Sequence, residues 1–414
     1  MFQKPHIAGY VVNYFALRSV ACFMLVILIF FATDAQTKEA SSMTVAAERY
    51  QKYESIINNK RLGLVVNQTS MVNDQHLVDF LIARKHTVTV IFAPEHGFRG
   101  NKGAGEVVAN NKDIKTNLPI VSLYGKHKKP SRQHLNGVDL LIFDIQDVGV
   151  RYYTYISTMH YVMQACADNN VPLLILDRPN PNGDYIDGPV LDLNYQSFVG
   201  MHPIPMVHGL TVAELALMIN GEGWLDDGKQ CQLEIVKVED YAHSNKYSLP
   251  IQPSPNLPND QAIRLYPSLG FFEATDVSVG RGTDFPFQVL GYPDSSMGEF
   301  EFKARSISGS WSKLNHSGAA LFGQRLSTDP NKGLTLSYFL EWKDKFAKQG
   351  KPFITRASFL DKLAGQSEFR QQVESNWNEV RIRKSWKADL SEFQKLRSRY
   401  LLYPDHPNVL RYSQ

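Results

Sequence analysis

VDLLIFDIQDVGVRYYTYISTMHYVMQACADNNVPLLILDRPNPNG, residues 138–183, is the stretch that decides the fold. A mostly apolar run, Val138 to Phe143, comes first. Tyr155 to Asn169 follows with apolar residues at helical spacing, and a second run, Pro172 to Leu176, closes the segment. Strands buried on both faces read as unbroken apolar runs, and two parallel strands need a crossover between them, usually a helix. The segment therefore predicts a βαβ unit. Each run ends in an acid, Asp144 and then Asp177, with Gln146, Asp147, Arg178 and Asn180 close behind.

The same grammar repeats outward. Leu62 to Val66, Val88 to Phe92 and Ile120 to Leu123 are further short apolar runs, and LVDFLIARK (77–85) lies between the first two with helical spacing. Ala46 to Asn58 reads as an amphipathic helix. Thr211 with Glu214 three residues on has the spacing of a capping box opening another helix. These features predict an α/β fold: a Rossmann-like doubly wound, mostly parallel sheet over residues 44–265, followed by a smaller C-terminal α/β domain over 266–414. Residues 250–294, rich in Pro, Gly and aromatics, read as an ordered but mostly irregular segment lining a site between the two. Helical stretches are expected at 334–349, 356–363 and 369–396.

Composition narrows the function. With 43% hydrophobic and 21% charged residues the chain can build a sizeable core. A formal net charge of +3 requires neither nucleic acid nor an anionic membrane as partner. Lys4 and Arg18 are the only fixed charges before Asp34, and the apolar run Val20 to Ala32 is short for a membrane span. Residues 1–35 thus read as a signal peptide, with a retained anchor as the alternative, and the mature chain is expected in the periplasm or outside the cell. Cys22 falls in that leader. Cys166 and Cys231 remain, as a disulfide or as two buried thiols.

In open parallel sheets ligands bind beyond the carboxyl ends of the strands. Four runs deliver polar residues to that edge: Asn67 after the first, Glu95 with His96 and Arg99 after the second, Asp144, Gln146, Asp147 and Arg151 after the 138–143 run, and Asp177, Arg178 and Asn180 after the 172–176 run. The glycines expected of a dinucleotide site are missing, and Gly100, Gly103 and Gly105 do not open an apolar helix. A serine-hydrolase elbow and a zinc helix are likewise missing, so neither metal nor cofactor is expected. What remains is carboxylate chemistry. Glycoside cleavage needs an acid at the leaving oxygen and stabilisation of an oxocarbenium-like state on the other side of the ring. Glu95, after a proline at a buried strand end, is the candidate acid; partial burial would raise its pKa. Its other reading is a structural partner of Arg99. Asp144, Asp147 and Glu273 are candidates for the second group, or else partners of Arg151 and Arg281. Tyr152, Tyr153 and Tyr155 either stack on a sugar or fill the core.

The ordered series NQTS (67–70), APEHGFRG (93–100), DIQDVGVRYYTY (144–155), DRPNPNG (177–183), HGLTVAELA (208–216), PSPN (253–256) and FFEATDVSVGRGTDFPF (271–287) resembles the NamZ-type exo-β-N-acetylmuramidases. The resemblance spans residues 45–412. It implies an active site between a Rossmann-like and a smaller domain, release of N-acetylmuramic acid from non-reducing ends of peptidoglycan fragments, and Glu95 as the catalytic glutamate. Tyr153, Tyr155 and Asn256, which fall within these motifs, are expected among the substrate-binding residues. Muramic acid carries a lactyl carboxylate, which calls for a guanidinium, and Arg151 or Arg281 is expected to supply it. Two competing readings are a metal-dependent cell-wall amidase or deacylase, using His96 with Asp144 or Asp177, and a peptidoglycan-binding protein without turnover.

Overall fold

Six parallel strands organise the first two thirds of the chain: β1 (Arg61–Val66), β2 (Thr87–Ala93), β3 (Pro119–Ser122), β4 (Leu140–Asp144), β5 (Leu173–Leu176) and β6 (Leu233–Val236). The computed structural model describes residues 1, 43–99, 111–305, 315–327 and 333–410. The expected leader with Cys22 and the glycines at 100, 103 and 105 lie outside the described residues. The strand order is β3-β2-β1-β4-β5-β6, with Asn111–Lys112 added antiparallel to β3 at the edge. The chain starts at the centre, winds out to β3, then returns to the other side of β1. The direction of winding therefore reverses between β1 and β4, where loops diverge and leave a crevice.

Side chains along each strand alternate between two cores. Val65, Phe92, Leu141, Phe143, Leu173 and Ile175 face one, together with Ile156, Met159 and Val162 of the helix Tyr155–Asn169. Leu64, Val66, Ile91, Ile142 and Leu176 face the other, packed with Leu77, Val78 and Leu81 of the helix Leu77–Ala83. Both faces are covered, the condition under which a parallel sheet is stable.

The remainder forms the second α/β region. An antiparallel sheet, β7 (Val289–Tyr292), β8 (Phe300–Lys303) and β9 (Ala320–Arg325), has β9 in the middle. Helices Ser337–Lys348, Ala357–Ala364, Glu368–Glu374, Glu379–Ser385 and Lys387–Ser398 follow. Phe271, Phe339, Trp342 and Phe369 of this region belong to the same buried cluster as the helix Tyr155–Asn169, so the two regions share a core. Among the described residues no helix is long and apolar enough to cross a membrane.

Three expectations need correction. Residues 46–58 are two single 3-10 turns, Ala46–Glu48 and Tyr50–Lys52, and a four-residue helix, Glu54–Ile57, because Arg49 and Tyr53 leave helical geometry between them. The stretch 369–396 is three helices: Asn376 turns left-handed (φ 58°), and Asn378 starts a new helix by accepting from the Arg381 N–H. The segment 250–294 is less irregular than its composition suggests. It holds the helix Asp260–Leu269, capped by Asn259, then the 3-10 turn Gly270–Ala274 and β7. Cys166 and Cys231 are buried and free.

Candidate active site

Beyond the carboxyl ends of β2, β3 and β4 lies a pocket of about 140 Å³. One wall comes from the first region through Glu95, His96 and Tyr152 to Tyr155, with Asn256 at the end of an incoming loop. The opposite wall comes from the second region through Glu273, Arg281 and Phe287.

Glu95 reaches the pocket because β2 ends at Ala93 and the chain turns at once. The Gly97 N–H donates to the Pro94 carbonyl (3.0 Å), and His96 is held at φ 70° in the left-handed region. A residue with a Cβ is unfavourable there, and such strain persists only where the surroundings impose it. The Glu95 carboxyl is half-buried. Thr154 holds it, its hydroxyl donating to Oε2 (2.9 Å). Thr154 stands at the N-cap of the helix Tyr155–Asn169 but caps nothing with its side chain. A threonine there normally bonds the first turn of its own helix; this one is turned to the glutamate instead.

The tyrosines after Arg151 build the pocket floor. Tyr153 and Tyr155 donate to the Pro253 carbonyl (2.8 and 3.2 Å), which fixes the loop carrying Ser254 and Asn256. Tyr152 donates to the carbonyls of Tyr266 and Pro267 (2.9 and 3.0 Å), tying the floor to the opposite wall. Burial pushes the Tyr153, Tyr155 and Tyr266 hydroxyls well up; they are neutral donors at ordinary pH. On the far wall Arg281 donates to Glu273 (2.6 Å) and lies over the Phe287 ring, 4.8 Å from its centroid.

Of the residues expected at the site, Glu95, His96, Tyr153, Tyr155, Asn256, Glu273 and Arg281 line this pocket. The others do not, and their bonds show why. Asp144, expected as a second carboxylate, is fully buried in a two-point ion pair with Arg178 (2.6 and 3.0 Å). Asp147 accepts from the Gly149 N–H (2.6 Å), and burial raises its pKa to about 7. Asp177 accepts from the Ala213 N–H (3.1 Å) and the Tyr403 hydroxyl (2.6 Å). Asn67 holds Thr69 through its side-chain oxygen (2.9 and 2.6 Å), Gln146 donates to the carbonyls of Asp147 and Pro179 (2.8 and 2.7 Å), and Asn180 donates to that of Leu210 (2.9 Å). Arg99 is paired with Asp113 (3.1 Å) and not with Glu95. Arg151 is wholly buried, donating to the carbonyls of Pro189 and Ile204 (2.7 Å each) and of Leu363 and Ala364 (3.0 and 2.7 Å). Polar residues clustered at a sheet edge thus satisfy the buried backbone of the loops there.

The pocket also contains residues the sequence reading passed over: Thr154, Tyr124, Tyr266 and Phe287. Thr154 sits inside a motif already singled out, and its hydroxyl between tyrosines was a legible signal. Tyr124 follows β3 as Glu95 follows β2, so the same edge rule would have found it. Tyr266 and Phe287 had no comparable mark.

The comparisons with known proteins agree across both regions. Residues 62–261 match the family model of the exo-beta-N-acetylmuramidase NamZ N-terminal domain, and residues 264–403 that of the C-terminal domain. The peptidoglycan beta-N-acetylmuramidase NamZ of Bacillus subtilis is 38% identical over 375 residues, covering 85% of this chain and 89% of the relative. Two crystal structures of DUF1343 family proteins from Bacteroides fragilis have the same fold. One is 42% identical with a TM-score of 0.81, covering 88% of this chain and 100% of that one. The other is 29% identical with a TM-score of 0.75, covering 87% and 99%.

Proposed function

This chain belongs to the exo-β-N-acetylmuramidase NamZ family, and we propose that Glu95 and the Glu273–Arg281 pair carry its reaction in the pocket described above. It is a glycoside hydrolase that releases N-acetylmuramic acid from peptidoglycan fragments. The single observation carrying the assignment is that two carboxylates and one guanidinium, from two regions of the chain, converge on one aromatic-walled pocket.

Glu95 is the general acid. The Thr154 hydroxyl fixes Oε2 and with it the plane of the carboxyl, so that the proton is presented to the glycosidic oxygen as the bond to the anomeric carbon breaks. Glu273 faces the oxocarbenium-like centre from the other wall. Arg281 binds the lactyl carboxylate that distinguishes muramic acid, a charge-assisted bond that a guanidinium can make at two points. The tyrosine floor receives the sugar ring. The reading as an amidase built on His96 with Asp144 or Asp177 is weakened by the engagements of both aspartates, with Arg178 and with Tyr403. Cleavage takes place at the non-reducing end of the fragment. We also place the protein in the periplasm or outside the cell, in keeping with the leader-like apolar run at 20–32 and with a cell-wall substrate.

The test is Glu95→Gln on substrates with different leaving groups. On a natural disaccharide kcat is expected to fall by about a thousandfold or more, within the range that positioned proton transfer supplies together with lost carboxyl geometry. On a dinitrophenyl glycoside, whose leaving group needs little protonation, the loss should shrink by at least tenfold. An equal loss on both would remove Glu95 from the acid role.

A further inference from the structure

A row of aromatic rings runs outward from the pocket and has no part in the chemistry just described. Tyr124 lines the pocket beside Val199. Its ring lies 6.2 Å from that of Phe198, which in turn stacks on Tyr161 at 6.3 Å with the planes 23° apart. Lys128 sits over the Phe198 ring, 4.7 Å from the centroid. Three separate pieces of chain supply the rings: the loop after β3, the loop preceding Gly200, and the second turn of the helix Tyr155–Asn169. All three rings are partly exposed, although nearby apolar side chains are taken into the core.

We propose that Tyr124, Phe198 and Tyr161 form a stacking platform for the sugar rings on the leaving-group side of the scissile bond. The inference rests on the hydrolytic reading above and extends it to fragment length. An exo-acting enzyme encloses one terminal sugar, and the rest of the glycan must cross the pocket rim. Tyr124 and Val199 line the pocket, and the Phe198 and Tyr161 rings follow Tyr124 in turn, the first tilted 55° to it and the second nearly parallel to Phe198. A pyranose presents an apolar C–H face that covers such a ring, while its hydroxyls stay in water, and aromatic side chains are the usual lining of sites for half-polar ligands. Lys128 adds a cation over one face of the middle ring, where a glycan carrying lactyl groups brings negative charge.

Phe198→Ala and Tyr161→Ala, with Phe198→Tyr as the conservative control, are assayed on β-N-acetylmuramyl fluoride, whose leaving group is a single atom, and on a peptide-free tetrasaccharide ending in N-acetylmuramic acid. Both alanine variants should keep wild-type kcat/KM on the fluoride and lose about tenfold on the tetrasaccharide, the worth of one stacking contact. Phe198→Tyr should restore it. Equal losses on both substrates, or no loss on either, overturn the platform. A loss confined to peptide-bearing fragments overturns it as well, in favour of a peptide site. Tetrasaccharide binding to Glu95→Gln, with and without Phe198→Ala, is read by calorimetry. About tenfold weaker binding is expected, and unchanged binding refutes the platform. Because that arm needs no turnover, wild-type protein inert on both substrates would count against hydrolysis alone.

Discussion

Four arginines fall within the motifs around the cleft, and their surroundings separate them. Arg99 and Arg178 have carboxylate partners away from the pocket, and Arg151 is buried among backbone carbonyls. Arg281 alone of the four lines the pocket. Arg281→Ala should therefore weaken product inhibition by N-acetylmuramic acid about 10–100-fold while leaving inhibition by N-acetylglucosamine nearly unchanged, the worth of one charge-assisted contact. Parallel losses for the two sugars would take the lactyl group away from Arg281. Asp147 gives a second test at this scale. Its folded pKa of about 7 exceeds the unfolded value of about 3.9. Below pH 4 both states hold the proton. Between pH 4 and 7 the unfolded chain ionises first, so this group makes the protein less stable as pH rises through that window, and the cost is constant above it. The neighbouring His208, lowered by burial to about 3, acts in the opposite sense: its stability contribution is lost as pH falls from about 6.5 towards 3. Asp147→Asn keeps an oxygen for the Gly149 N–H and removes the ionisation. Its unfolding free energy from urea titration, relative to wild type, should rise between pH 4 and pH 8 by on the order of a few kcal/mol; a pH-independent difference would contradict the assignment.

The helix Tyr155–Asn169 and the 3-10 turn Gly270–Ala274 meet across the pocket. The first brings Thr154 to Glu95 at its N-terminus; the second carries Glu273. Their approach depends on Gly270, because a Cβ there would collide with the ring and hydroxyl of Tyr152. Gly270→Ala should cost about 1–3 kcal/mol, as overpacked sites do, and raise KM by pushing the Tyr152 floor away from Tyr266. A thermal melt with Michaelis kinetics checks this; a full loss of stability with unchanged KM would mean that the turn moves and the floor does not. The strands were the elements most legible beforehand, since a buried parallel strand writes itself as an apolar run. The helices at 46–58 and 369–396 were misjudged for a local reason. Apolar spacing persists across a break in the backbone, and one left-handed Asn376 or a non-helical Tyr53 ends a helix without disturbing that spacing.

Across the whole molecule the two regions are held by one continuous core and by a few buried cations. Arg151 links the carbonyls of Pro189 and Ile204 to those of Leu363 and Ala364, and Arg397 links Gly209 to Asp405. Arg151→Ala removes the guanidinium donors from four buried carbonyls and should destabilise by roughly 3 kcal/mol or more. Unlike Arg281→Ala, it should weaken inhibition by both sugars equally, because it acts through the fit of the two walls; denaturant unfolding and the two inhibition constants separate the cases. By itself the sequence determined the parallel sheet and the strand-end edge that carries Glu95, because burial patterns and strand ends are local properties of a chain. Only the tertiary structure decided which polar residues at that edge face the pocket and which are spent on the backbone. That choice depends on partners far along the chain, as with Asp144 and Arg178 or Asp177 and Tyr403. It depends equally on a second wall that brings Glu273 and Arg281 to the pocket Glu95 lines, and no local pattern encodes that approach.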